Sequence, residues 1–191
     1  MMKAVGVFTV VVACAAPPSA TGNLLVNGDA RRGIEGWTPR GIATVETFLG
    51  VPSFTIRNRG AFSQEIMLTD DAAGSFAVLL ARGQSDRINT DGSITGLPYL
   101  YATVATEDRV RFLAHWQGPT MVARPPDSTQ WVPMSGVFQV PPGARFIYVQ
   151  LNQAERKGSP QDGSAARFAD VQFHLFATEA EAKAFAQQHQ R

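Results

Sequence analysis

The sequence predicts an all-β protein: an antiparallel two-sheet β-sandwich, or jelly roll, followed by a short C-terminal helix. Three observations carry this. Apolar and polar residues alternate at period two in short runs, 17 glycines and 12 prolines punctuate the chain, and the period changes only past residue 177. Alternation with one apolar face marks a half-buried strand, and Gly or Pro between such runs marks a turn.

Taken in order, strands are expected near residues 42–48, 53–57, 62–68, 75–81, 98–105, 109–116, 130–139, 145–152 and 167–176. The sixth places Val110, Phe112, Ala114 and Trp116 on one face, against Arg109, Arg111, Leu113, His115 and Gln117 on the other. Thr106-Glu107-Asp108 before it is a polar turn, so residues 98–116 read as a hairpin. In the eighth, Ile147, Val149 and Leu151 share a face opposed by Tyr148, Gln150 and Asn152. The tail departs from period two. Thr178 and Glu181 have the spacing of a capping box, and Ala180, Ala182, Ala184, Phe185 and Ala186 suit a helix.

Before the sandwich, Met1-Met2-Lys3 leads through an apolar stretch to Cys14, the one cysteine of the chain. A positive start and a short apolar run form the layout of a secretory signal, too short to cross a bilayer. Val11-Val12-Ala13-Cys14 resembles a bacterial lipobox, in which Cys14 would be lipidated and become the mature N-terminus. Cleavage further on, near Ala20, would instead give a soluble secreted protein. The expected division is a leader and tether over 1–22, the sandwich over 23–177 and a helical tail over 178–191. The expected location is the periplasm or outer surface of a bacterial envelope, with membrane contact through Cys14.

Composition narrows the function classes. A formal charge of +1 without a long basic run argues against nucleic acid as a partner. A lone cysteine allows no intramolecular disulfide. The three histidines, His115, His174 and His189, are scattered, and no His/Cys cluster has metal-ligand spacing. No G-x-S-x-G elbow or Gly-rich phosphate loop appears, and the acidic pairs Asp70-Asp71 and Glu107-Asp108 fall in expected turns. A binding protein is expected rather than an enzyme.

The opening Asn23-Leu24-Leu25-Val26-Asn27-Gly28-Asp29-Ala30-Arg31-Arg32-Gly33-Ile34-Glu35-Gly36-Trp37 resembles the phrase that begins CenC-type carbohydrate-binding modules. Sugar-binding F-box-associated domains share that phrase. Further matches follow in order: Phe62-Ser63-Gln64-Glu65-Ile66, Asp71 to Leu79, Trp131 to Val140 with Pro141-Pro142-Gly143-Ala144-Arg145, and Phe168-Ala169-Asp170-Val171. The resemblance spans about residues 23–176 and implies a galactose-binding-like sandwich. In that family a Glu of the opening phrase and an Asp near the last strand often hold a structural calcium. The matching positions here are Arg31 and Asp170. A guanidinium offers only donors and cannot ligate calcium, so an Arg31–Asp170 ion pair is expected in its place, with no cofactor.

The resemblance also implies a sugar site on the concave sheet face or in the loops at one end. Aromatic faces stack on pyranose C–H groups, and planar polar groups meet the hydroxyls. The face candidates are Tyr99, Tyr101, His115, Gln117, Tyr148, Gln150 and Asn152, all out of phase with apolar neighbours. For the tyrosines, packing under a loop is an equal reading. Trp116, in phase with Val110 and Phe112, reads as core. The loop from Glu155 to Ser164, with Arg156, Lys157, Gln161 and Asp162, is the other candidate, and it lacks aromatic residues. A third, Ala81 to Leu97, carries Arg82, Asp86, Arg87, Asn89 and Asp91 and reads as a lid or a solvated excursion. The favoured expectation is non-catalytic binding of a glycan or glycoconjugate. The rival is an envelope scaffold that holds a protein partner, which the absence of an adjoining catalytic domain keeps in play. A small glycan-active hydrolase ranks third.

Overall fold

The computed structural model describes residues 21–88, 92–154 and 163–190. The leader with Cys14 lies outside the described residues, as do Asn89, Asp91 and the loop residues Arg156, Lys157, Gln161 and Asp162.

Eight strands and one α-helix follow in order: β1 (Thr38–Phe48), β2 (Val51–Met67), β3 (Phe76–Ser85), β4 (Pro98–Ala105), β5 (Phe112–Trp116), β6 (Val132–Gln139), β7 (Phe146–Gln153), β8 (Ala165–Phe176) and α1 (Glu179–Gln188). The strands run in the order β5-β4-β7-β2-β8-β3-β6, with β1 also on β2, and every pairing is antiparallel. This path folds into two layers because β2 belongs to both. Its Ala61–Met67 half pairs with β7, and its Phe54–Arg57 segment pairs with β8. The sequence reading splits this stretch into strands at 53–57 and 62–68. They are one strand with a corner.

The corner has a local cause. Asn58 and Arg59 take φ of 47° and 67°, a left-handed backbone that turns the chain. Gly60 follows, where a side-chain carbon would lie 2.3 Å from the Ile42 carbonyl oxygen. Only glycine lets β1 and β2 approach so closely there.

Between the layers, Phe54, Ile56, Leu79, Phe168 and Phe173 meet Phe62, Leu100, Ile147, Val149 and Leu151, all fully buried. Trp116 joins them as expected, with its ring 5.2 Å from that of Phe138 and nearly parallel. The opening phrase is structural. Asn23 Oδ1 accepts from the Leu25 and Phe173 amides, and Asn27 Nδ2 donates to the Gly33 carbonyl at 2.9 Å. Gln64 bonds the Val26 backbone twice, and Trp37 Nε1 donates to the Val26 carbonyl.

Three further expectations need correction. The expected Arg31–Asp170 pair does not form: Arg31 faces Asp29 at 3.5 Å, while Arg82 Nε donates to Asp170 at 2.7 Å. Arg82 reaches Asp170 because β3 runs beside β8, with Arg82 in register with Ala169. With its carboxylate so engaged and Arg31 a pure donor, this place does not fit calcium. Next, β3 continues to Ser85, so Arg82 belongs to a strand and the connection starts only at Asp86. Gly83 marks a close approach there and not a turn: a side-chain carbon would meet Ala123 at 2.3 Å and Met134 at 2.7 Å.

The third correction bears on the site. The strand expected at 109–116 starts at Phe112, after a turn in which Arg109 holds φ 58°. Ala105 pairs with Phe112 but Val104 with Ala114, so Leu113 is an extra residue, a β-bulge. It moves Phe112 off the face of Trp116 and onto that of His115.

The outer face of the β3-β6-β8 region is closed by α1. Its Thr178 capping box forms as expected, with Thr178 Oγ1 accepting from the Glu181 amide. Ala182, Ala186 and Phe185 cover Val78, Leu80, Val137 and Phe176. Among the described residues no helix is long and apolar enough to cross a membrane.

Candidate functional site

The other outer face, on β5-β4-β7-β2, has no helix over it among the described residues. Register sets its side chains in rows. Arg40, Ala61, Asn152 and Tyr99 form one row, and Thr38, Ser63, Gln150 and Tyr101 the next. Glu65, Tyr148, Thr103 and His115 form a third, and Met67, Phe146, Ala105 and Phe112 a fourth. Paired residues point to the same side of a sheet, so all of these face away from the core. A hollow of about 390 Å³ opens here, lined by Tyr101, Thr103, Phe112, His115, Tyr148 and Gln150 together with Ser63 and Arg109.

The aromatic rings are fixed. Tyr99 and Tyr101 stack with centroids 5.5 Å apart and planes 28° from parallel. Tyr99 donates its hydroxyl to Gln117 Oε1, and Tyr101 donates to Gln150 Oε1 at 2.6 Å. Thr103 Oγ1 lies 3.2 Å from His115 Nδ1, and the His115 and Phe112 rings are 6.0 Å apart. Partial burial raises the Tyr101 phenol above its ordinary range, an effect that the Arg40 guanidinium opposes. The Tyr148 phenol is raised by burial and by Glu65.

At the far row, Arg109 binds Glu65 through Nη2 at 3.0 Å and Nε at 3.3 Å, and its guanidinium lies 3.8 Å from the Phe146 ring centroid. Arg109 holds the Glu65 carboxyl below the usual carboxylate range. Glu65 therefore stands as an engaged anion, with no proton to give at neutral pH.

The seven face candidates lie on one surface, with the two tyrosines half-buried on it. Tyr101, His115, Tyr148 and Gln150 line the hollow itself. Tyr99, Gln117 and Asn152 adjoin it through the tyrosine pair. Sequence reasoning missed Ser63, Thr103, Glu65, Arg40, Arg109 and Phe112. Alternation could have found Ser63, Glu65 and Thr103. The bulge that recruits Phe112 leaves no trace in a period-two pattern. Among the described residues no group of three His, Cys, Asp or Glu side chains could hold a metal ion.

By sequence, no protein-family model and no curated protein matches the chain. Solved structures do match its fold. The CBM22-2 xylan-binding domain of Paenibacillus barcinonensis Xyn10C superposes with a TM-score of 0.55 at 17% identity, over 78% of this chain and 97% of that one. The β-sandwich fold is shared with that module. TmCBM61, solved with β-1,4-galactotriose, matches at a TM-score of 0.50 and 16% identity, over 83% of this chain and all of that one. The enzymatically active domain of the bacteriophage CBA120 tailspike protein 4 matches at 0.58 and 16%, over 81% of this chain. This chain spans 21% of that tailspike chain. At such identities the likeness is one of architecture, and the site has to be argued from its own residues.

Proposed function

We propose that the uncovered face binds a carbohydrate and performs no chemistry on it. The observation that carries this reading is the Tyr99–Tyr101 pair, held in a stack by amide acceptors on a sheet face with no helix above it. Rigid rings present flat apolar surface at little cost in conformational entropy, and the adjoining His115, Gln117, Tyr148 and Gln150 offer hydroxyl partners. Fold likeness to xylan- and galactotriose-binding modules supports the ligand class. Glycoside hydrolysis needs two carboxyl groups about 5–10 Å apart across a cleft. The hollow is lined by none, and Glu65 at its side is committed to Arg109.

A glycan array probed with the whole chain tests the reading. Saturable binding that Tyr101→Ala removes, with an unchanged circular-dichroism spectrum, is expected. Silence across a broad array from cooperatively melting protein would overturn it. The second reading is an envelope protein partner, favoured by Met67, Val110 and Phe112, which lie exposed around the end of the hollow. Export and anchoring through Cys14 belong to the same proposal and rest on the leader's charge and apolar layout. Cys14→Ala is expected to move the protein from the membrane fraction to the soluble one.

A further inference from the structure

The two ends of the open face are chemically unequal. At the Glu65 end the charges cancel, because Arg109 and Glu65 satisfy each other and Tyr148 lies against both. At the Tyr99–Tyr101 end they do not. Both phenols donate to side-chain amides and occupy the amide oxygens, so Gln117 and Gln150 are left with their NH₂ groups, which donate to no described residue. Asn152, opposite Tyr99 in register, keeps its Nδ2 enclosed beneath this surface and lies against the Tyr101 phenol. Arg40, at the end of the same row, is exposed and makes no ion pair with any described residue. Its guanidinium is near enough to favour the ionised form of Tyr101. Four residues on the strand separate Ala61, beside Arg40, from Glu65, about 13 Å at strand rise, too far to neutralise it strongly through solvent.

Among the described residues this end holds two side-chain NH₂ groups without an acceptor and a cation without an ion pair, and each amide oxygen already receives a phenol. A neutral sugar hydroxyl can accept from these donors but leaves the charge of the guanidinium unmatched. A carboxylate accepts only, and meets a guanidinium in a paired, charge-assisted geometry. We propose that the glycan recognised on this face is acidic, a uronate-bearing polymer, with Arg40 anchoring the carboxylate while Tyr99 and Tyr101 carry the ring. This inference rests on the carbohydrate-binding reading and narrows it to one substrate class.

Isothermal titration of the full chain with polygalacturonate, alginate and hyaluronan, each beside its carboxyl-reduced form, tests it. At least one acidic polymer is expected to bind about tenfold or more tighter than its reduced form, as loss of a charge-assisted contact predicts. Added salt should erode that preference. Arg40→Gln should erase the preference by bringing binding of the acidic polymer down to that of its reduced form. Arg40→Lys should restore part of it, and Tyr101→Ala should abolish binding to both forms. Arg40 is exposed at its strand position, so an unchanged melting curve is expected for Arg40→Gln and separates lost contact from lost fold. Equal binding of acidic and reduced polymers, a preference that survives in Arg40→Gln, or array hits confined to neutral glycans would overturn the acidic assignment while the carbohydrate reading stands. No binding to any of these polymers or to the array would overturn both.

Discussion

Two outer faces of one sandwich meet different fates. On β3, β6 and β8, Val78, Leu80, Val137 and Phe176 lie beneath α1, so that face has become a second, smaller core. On β5, β4, β7 and β2 no helix of the described residues lies above Tyr99, Tyr101, His115, Tyr148 and Gln150. The first face spends its aromatic residues on stability; the second holds its rings by hydrogen bonds to edge amides and leaves their surfaces available. The difference lies in what completes the surface: a segment of the same chain on one side, and on the other, under the proposed function, a ligand.

The sharpest way to break this contrast uses two phenylalanines. Phe176 is 2% exposed and Phe112 is 58% exposed. Phe176→Ala is expected to cost about 3–5 kcal/mol by denaturant unfolding, since it empties a filled site. Phe112→Ala should cost about 1 kcal/mol or less and act on glycan binding instead. Comparable losses of stability would mean that the open face is a core awaiting burial, which would favour the protein-partner reading. Next in size, Thr178→Ala removes the α1 cap and should cost about 1 kcal/mol, with ligand binding unchanged because the helix lies on the opposite face. A change in binding with this variant would show that the two faces are coupled.

The smallest effect concerns pH. His174 Nδ1 lies 2.9 Å from the Thr21 carbonyl and its ring 4.7 Å from Phe185, under the helix. Burial holds its pKa below the usual imidazole value, and His189 nearby acts in the same direction. The folded state thus keeps His174 neutral where the unfolded chain takes up a proton. Its contribution to stability is full above the unfolded value of about 6.5 and falls as pH drops through that value toward the folded one. Thermal melts should show an acid-side loss that His174→Gln reduces. A loss of the same size in that variant would place its origin elsewhere.

Much of this was legible in the sequence, and the failures are instructive. Strands such as β7 announce themselves because Ile147, Val149 and Leu151 must all face inward while Tyr148, Gln150 and Asn152 face out. The capping box of α1 is equally local. What escaped is decided by contacts distant in sequence. Asn58-Arg59-Gly60 reads as a turn, and only β1 alongside makes it a corner within one strand. Leu113 becomes a bulge through its pairing with β4, and carries Phe112 to the other face. Asp170 finds Arg82 and not Arg31 because strand neighbours, and not a shared motif, decide which guanidinium arrives.

The corner in β2 has a mechanical consequence. A sandwich whose layers meet only through loops can shear, one sheet gliding over the other. Here a single strand is woven into both, with β1 hydrogen-bonded along it on either side of the bend. Sliding would require breaking two ladders at once. A polymer tugging on Gln150 or Ser63 would pull on β2 itself, and the load would pass around the bend at Gly60 into the opposite layer instead of peeling the face away. The molecule is braced along the strand that carries the tension.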